Sequence, residues 1–351
     1  MFIILAILIF GFLIIIHELG HFTAAKLLGV KVNEFSICMG PAIFQKTVGE
    51  TTYSLRCIPL GGYCAMEGED ELSDNPRAFT GAKWWKRLII LVAGAFMNFL
   101  LGAIIIFILL CSAQGFRTTE ITSFLPGTLL EDNGLRVGDC FYSIDGERTY
   151  DNADIPILLD RSLTGTADVV VIRDGEKVRF PEFKVQRIEY EENGETQLLY
   201  GLTTGSVEAN ARTLLKYTWY SCLNYSRMVR MGLSDLISGR TNMSDMGGVV
   251  AIVHVMNETG KEAETTSEGL YSVFNLAAFI AINLAIMNML PIPALDGGRV
   301  FFLLVTTLLE AILGRKIDPK YEGYIHAAGM VLLLGFMIFI MFHDVWMLIK
   351  G

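Results

Sequence analysis

Residues 1–22 read MFIILAILIFGFLIIIHELGHF, an uninterrupted apolar run from Met1 to Ile16 that ends in His17-Glu18-Leu19-Gly20-His21. The first sixteen residues describe a membrane helix, and the next five carry a metal-binding pattern. On a helix His17 and His21 are four residues apart and share one face, so two imidazoles can grip one zinc ion while Glu18 reaches a water beside it. Such a short pattern also arises by chance in soluble proteins. In lipid, however, an ionised Glu at mid-helix costs roughly 2.5 to 3.5 kcal/mol, and ionisable residues at that depth are kept for function.

The 351 residues are 52% hydrophobic and 19% charged, with a mean hydropathy of +0.45, too apolar for an ordinary soluble protein. Four segments suit a hydrocarbon core of about 30 Å: Phe2 to Ala25, Leu88 to Ala113, Val273 to Met289 continuing toward Leu309, and Ala327 to Ile349. The first has no basic n-region and no small-residue cleavage site, so it reads as a span rather than a signal peptide. Lys26, Lys83, Lys86 and Arg87 flank the loop between spans one and two, and Arg315, Lys316 and Lys320 lie between spans three and four. Both loops are therefore expected to be cytoplasmic, with the segment from about Gly115 to Thr265 outside. The lipid bilayer is the first partner this composition implies. Nucleic acid is excluded, because a net charge of −9 repels phosphate backbones. Six cysteines without C-x-x-C spacing read as small apolar residues.

Two imidazoles leave a catalytic zinc short of a third protein ligand. Span three supplies a candidate in Asn288-Met289-Leu290-Pro291-Ile292-Pro293-Ala294-Leu295-Asp296-Gly297-Gly298. Pro291 and Pro293 remove backbone donors and break the helix, and a break at membrane depth is tolerated only where it faces protein or a cavity. Asp296 then has a reason to point inward and complete a His-His-Asp set with one position open. The competing reading is a plain helix end followed by glycine caps.

Taken together, the two motifs resemble those of the site-2 proteases, and within them the bacterial regulator of sigma-E protease type, over nearly the whole chain. That resemblance implies an intramembrane zinc metalloendopeptidase with Zn2+ on His17, His21 and Asp296, Glu18 as general base, and Asn288 holding substrate. Ile58-Pro59-Leu60-Gly61-Gly62-Tyr63 looks like the family's membrane-associated β-loop, which implies substrate pairing at Gly61, Gly62 and Tyr63; a glycine hairpin turn is the plainer alternative. Cys38 and Met39 depart from a Gly-Phe-Gly-like stretch, Ala95 stands where Pro is common, and Gly248 replaces a customary Pro.

From Glu120 onward short alternating runs with turn signals, such as Ile144-Asp145-Gly146-Glu147, mark a small β-rich domain. Its order of motifs resembles a circularly permuted bacterial PDZ domain, which implies capture of an extended peptide or a C-terminus as an added strand. A spacer that only restricts access is the other reading. Between Ala211 and Ile237, apolar residues at helical spacing, interspersed Arg and Lys, and Tyr217, Trp219 and Tyr220 suit a helix lying on the membrane surface; a core-packed helix is the alternative. His254, His326 and His343 have no ligand partner at helical spacing and read as structural or surface residues.

The expected fold class is a polytopic α-helical membrane protein, about four transmembrane helices with an inserted extracytoplasmic β-rich PDZ-like domain. The expected parts are residues 1–114 with the β-loop at about 34–66, a PDZ-like domain at 115–190, an interfacial helix at 207–240, and 270–351. The expected activity is regulated intramembrane proteolysis of single-span membrane proteins in a bacterial cell membrane, the substrates being anti-sigma factors or signal-peptide remnants by resemblance. A membrane-anchored PDZ adaptor, or a metal-handling protein with a vestigial site, is the non-enzymatic alternative.

Overall fold

No proline interrupts the chain before Gly29, and residues Phe2–Leu28 form a single helix, α1, in the computed structural model. Gly29 stops it with a φ of +81°, a conformation glycine adopts without steric cost. The structure describes residues 2–69, 73–128, 130–162, 165–192, 195–240, 249–263, 265–314 and 320–350. Gly248, Arg315 and Lys316 lie outside them.

After α1 comes a hairpin of β1 (Val32–Val48) and β2 (Thr51–Met66), then helix α2 (Trp84–Leu110). Strands β3 (Gly115–Phe124), β4 (Cys140–Ile144) and β5 (Glu147–Arg148) follow, with the short helix α3 (Asp154–Leu159). The remaining strands are β6 (Thr166–Arg173), β7 (Glu176–Lys184), β8 (Ile188–Glu192), β9 (Glu195–Leu199) and β10 (Leu202–Glu208). Helices α4 (Ala211–Ile237), α5 (Val249–Glu262), α6 (Thr266–Asn288), α7 (Asp296–Leu313) and α8 (Lys320–Lys350) complete the chain. Contacts divide it into two units, residues 1–106 with 225–351, and residues 107–224.

In the first unit α1, α2, α6 and residues 323–340 of α8 are long and apolar enough to cross a membrane. Two apolar clusters hold this unit together. Phe2, Ala6, Ile9 and Leu13 of α1 pack with Met256 of α5 and with Val273, Ala277, Ile280 and Ala281 of α6. Ala25, Phe35, Cys64, Met66, Ile90, Leu91 and Leu303 form the second cluster where the hairpin meets the helices. Helix α5 is a feature the sequence reading passed over. Span three is interrupted where the two prolines predict: α6 ends at Asn288 and α7 begins afresh at Asp296, because Pro291 and Pro293 withhold the amide hydrogens a continuing helix needs. The start of α6 is fixed by a capping box in which Thr265 and Glu268 satisfy each other's backbone amides.

The β1–β2 pair is antiparallel, and both strands bend: β1 residues 34–37 pair with β2 residues 62–65 on one side and 52–55 on the other, while Ala42 to Val48 pair back on Thr51 to Arg56. Its tip exposes Ile43, Phe44 and Val48. Cys38, one of the departures from the family pattern, has a φ of +67°, the left-handed conformation that costs a non-glycine residue about 1–2 kcal/mol.

In the second unit the sheet order is β10-β3-β4-β6-β7, with β5 on β4. Ile121, Phe141, Ile144, Ile155, Leu159, Val169 and Val171 fill its core, as the period-2 pattern of Val169-Val170-Val171 requires of a half-buried strand. Buried Asp139 accepts from Arg173 at 2.7 Å through both carboxylate oxygens. The sheet extends past residue 190, since β10 pairs with β3 from Leu202 opposite Phe124 to Glu208 opposite Gly115. Pairing between strands so far apart in sequence leaves no local turn signal to read. Helix α4 occupies Ala211–Ile237 within the 207–240 expected for it, and its faces divide: Thr218, Cys222 and Val229 are buried, whereas Leu215 and Trp219 are exposed.

Candidate metal centre

His17 and His21 stand one turn apart on α1, their rings edge to face with centroids 4.8 Å apart. Their Nε2 atoms are 3.2 Å apart. The Oδ2 atom of Asp296, at the first turn of α7, lies 3.0 Å from Nε2 of His17 and 3.2 Å from Nε2 of His21. The Nδ1 of His21 donates to the backbone oxygen of Ile90 at 2.8 Å. A carbonyl can only accept, so the neutral ring carries its proton there and presents a lone pair at Nε2.

With His17 in the same tautomer, three lone pairs converge at about 3 Å, and Oδ2 of Asp296 is buried. Such a set repels itself unless a proton or a metal ion sits among the three atoms. A tetrahedral site with bonds of about 2.0–2.1 Å has edges of about 3.3 Å, so the spacing fits zinc, and two nitrogens with one oxygen form a donor set zinc accepts. Among the described residues this is the group of His, Cys, Asp and Glu side chains that could hold a metal ion.

Glycines set the approach of each element. A Cβ on Gly20 would lie 2.4 Å from the backbone oxygen of Ala93, and a Cβ on Gly94 would lie 2.3 Å from Nε2 of His21 and 2.8 Å from Cε1 of His17. Thus α1 and α2 cross at the histidines because neither has a side chain at the contact. On the other side, a Cβ on Gly297 would strike the backbone of Met289 and Leu290, and one on Gly298 the backbone of Ile292. The broken segment folds tightly over the first turn of α7 and carries Asp296 inward. Ala294 in that segment has a φ of +80°.

A cavity of about 780 Å³ opens over this centre. His17, Glu18, His21 and Asp296 line it, with Ala294, Arg299 and Met330 nearby. One wall is the unbroken run Gly62 to Glu69. Side chains of consecutive strand residues point to opposite faces, so an unbroken run can line a cavity only along the strand's edge. Gly62 rests on the centre itself: a Cβ there would be 3.5 Å from Cγ of Glu18 and 2.9 Å from the backbone oxygen of Ser36. Tyr63 also lines the cavity, while Gly61 and Asn288 are not among its lining residues. Gly61 has a φ of +81°, and Asn288 is the last residue of α6.

Two polar ties fix the wall. Glu67 accepts from the Ser73 hydroxyl, from Lys31 at 3.1 Å and from Asn33 at 3.0 Å. The Ser73 hydroxyl first, then Lys31 and Asn33, hold its carboxyl down at about 2. Arg299, three residues past Asp296, pairs with Glu69 just beyond β2. Gly20, Gly94, Ile90, Glu69 and Arg299 at this centre carry no motif of their own. A signal was present only for the glycines, as small residues in apolar spans; the partners of the others lie 69 to 230 residues away.

The model of peptidase family M50 matches residues 5–336. A zinc metalloprotease by name from Clostridium perfringens is 34% identical over 349 residues, covering 98% of each chain. The regulator of sigma-W protease RasP of Bacillus subtilis is 26% identical over 422 residues, covering 97% of each chain. The zinc metalloprotease RasP of Geobacillus kaustophilus is 26% identical over 426 residues, covering 97% of this chain and 96% of the other. The chain belongs to peptidase family M50, the site-2 proteases, and is a zinc metalloprotease of that type. With four apolar helices of spanning length, it is a multi-pass membrane protein.

Proposed function

We propose that this M50 protease cuts single-span membrane proteins within or beside the bilayer, with Zn2+ held by His17, His21 and Asp296 and with Glu18 as general base. The observation that carries this reading is the convergence of three lone pairs beside Glu18 at the floor of a cavity walled by a strand edge. When bound, zinc acidifies water and polarises a carbonyl, which is the chemistry amide hydrolysis needs.

The chain's own residues supply the rest. Glu18, the neighbour of His17 and covered by Gly62, is positioned to take a proton from the attacking water and to return it to the leaving amine. His21 keeps its Nε2 lone pair available because Ile90 holds the proton at Nδ1. In this sheet residues 34–37 pair with 62–65 on one side and with 52–55 on the other, so among the described residues the outer edge of Gly62 to Met66 has no strand beside it and is open to one. A substrate helix hides its scissile amides within its own hydrogen bonds; unwound and added beside Gly62 to Met66, it would present them over Glu18. We assign Asn288 to the same task from the family resemblance, as an amide that both donates and accepts.

The apolar tip of the hairpin, Ile43, Phe44 and Val48, supports a location at membrane depth. Exposed Leu215 and Trp219 support contact of α4 with lipid. The β-rich unit is proposed as a PDZ-like domain on the outer side that receives a peptide or a C-terminus. The Bacillus subtilis relative is named a regulator of sigma-W protease, which supports a substrate in sigma-factor control, such as an anti-sigma factor.

Co-expression of a tagged single-span protein with the wild type and with Glu18→Gln tests the reading. The wild type is expected to yield a truncated product that Glu18→Gln does not, with both chains retaining zinc. Equal cleavage by the two would overturn the assignment of Glu18, and full zinc occupancy in Asp296→Ala would overturn the ligand set.

A further inference from the structure

We propose that His326, on α8, is a positioning residue for the metal centre: by accepting the backbone hydrogen of Ala294 it fixes the strained segment that delivers Asp296. This inference rests on the ligand assignment proposed above. Nδ1 of His326 lies 3.2 Å from the amide nitrogen of Ala294, 32 residues earlier and two residues before Asp296. Since the amide can only donate, Nδ1 is the acceptor and the ring is neutral with its proton on Nε2.

Ala294 needs such a restraint. Its φ of +80° is one that a residue with a Cβ rarely adopts, and a backbone held there persists only where its surroundings over-determine it. Leu295 is extended, with φ −97° and ψ 160°, and helical geometry starts at Asp296. The direction of the Asp296 carboxylate is thus set by the turn at Ala294.

The packing of α8 has the same focus. Gly329, one turn after His326, abuts Pro293, where a Cβ would be 2.4 Å from the proline Cβ. The His326 ring meets Phe302 of α7 edge to face with centroids 5.4 Å apart, and Met330 and Ala294 both line the cavity. Beyond Met330 the described residues of this helix are largely exposed, including Val331, Leu332, Ile338 and Phe339. The stretch from His326 to Met330 grips the ligand-bearing segment, while the rest of the helix presents apolar side chains outward.

Zinc affinity of the full chain in detergent, measured by competition with a chromophoric chelator, tests this. His326→Phe keeps a ring against Phe302 but removes the acceptor, and is expected to weaken zinc binding about tenfold or more, as loss of a ligand-orienting contact does. His326→Asn, whose Oδ1 stands where Nδ1 was, is expected to bind zinc close to the wild type. Adding Ala294→Gly to His326→Phe is expected to recover most of the loss, because glycine takes this φ without needing the hydrogen bond. A merely structural role would lower the melting temperature of the metal-free chain and would not respond to Ala294→Gly. Wild-type affinity in His326→Phe, loss in His326→Asn equal to that in the phenylalanine variant, or no recovery on adding Ala294→Gly would each overturn the inference. If Asp296→Ala also binds zinc as the wild type does, the ligand assignment falls and this inference with it; normal dependence on Asp296 with no effect at His326 overturns the inference alone.

Discussion

Gly94 on α2 lies directly over His21 on α1, so near that a Cβ at Gly94 would come within 2.3 Å of the histidine Nε2. The same nitrogen faces Oδ2 of Asp296 at 3.2 Å. The histidine pair is therefore shaped from above by the absence of a side chain and from below by a carboxylate.

Gly94→Ala is expected to remove zinc while leaving the chain folded. The added methyl cannot be met by a rotamer change, since His21 is also held by the Ile90 carbonyl through Nδ1, and overpacking of this kind costs about 1–3 kcal/mol. The strain falls on the ligand geometry. Metal analysis of the purified variant would check it, together with circular dichroism for helix content; one zinc per chain at wild-type affinity would refute the crossing described here.

Much of this centre was legible in the sequence because each half carries its own local rule. Four-residue spacing puts His17 and His21 on one helix face, and two prolines force the break that frees Asp296. The helical character of α4 was equally legible, since its apolar residues recur at helical spacing. What escaped were relations between elements distant in the chain. Nothing near His326 marks it as the acceptor for Ala294, nothing near Gly115 announces pairing with Glu208, and helix α5 lacks the long apolar run that identified the spans. These depend on tertiary packing, which overrides local pattern. The departure at Cys38 has a local reading only once its φ is known, as a residue occupying a conformation that glycine fits better.

Glu69 and Arg299 join the strand wall to the helix that carries Asp296, and both are mostly removed from solvent. Breaking a partly buried pair removes the opposite charge from the partner, so Arg299→Met and Glu69→Gln are each expected to lower activity, with Arg299→Met costing more because Glu69, which also accepts from the Met66 amide at 3.3 Å, loses its cation beside the metal centre. The double variant is expected to lose less than the sum of the single losses, a coupling of about 0.5–3 kcal/mol as for contacting residues in general. Rates of cleavage for the four chains at one substrate level would check it. Strict additivity would mean that the two residues act on activity through separate contacts.

Acid should loosen the base of the hairpin through Glu67. Its folded carboxyl titrates at about 2, below the ordinary 4.5, so the carboxylate form is the one the fold favours. A depressed folded value gives stability that is complete above about pH 4.5 and is lost as pH falls toward about 2. The donors named above, Ser73, Lys31 and Asn33, bind the charged form, and protonation turns one acceptor oxygen into a competing donor. Melting of the metal-free chain, followed from pH 6 to 3, is expected to fall more steeply for the wild type than for Glu67→Gln, which starts lower and lacks this titration. Removing zinc first separates the effect from proton competition at His17 and His21, the ligands proposed above, since an imidazole binds metal in its neutral form. Parallel pH profiles for the two chains would show that the Glu67 cluster contributes nothing to the fold of the hairpin.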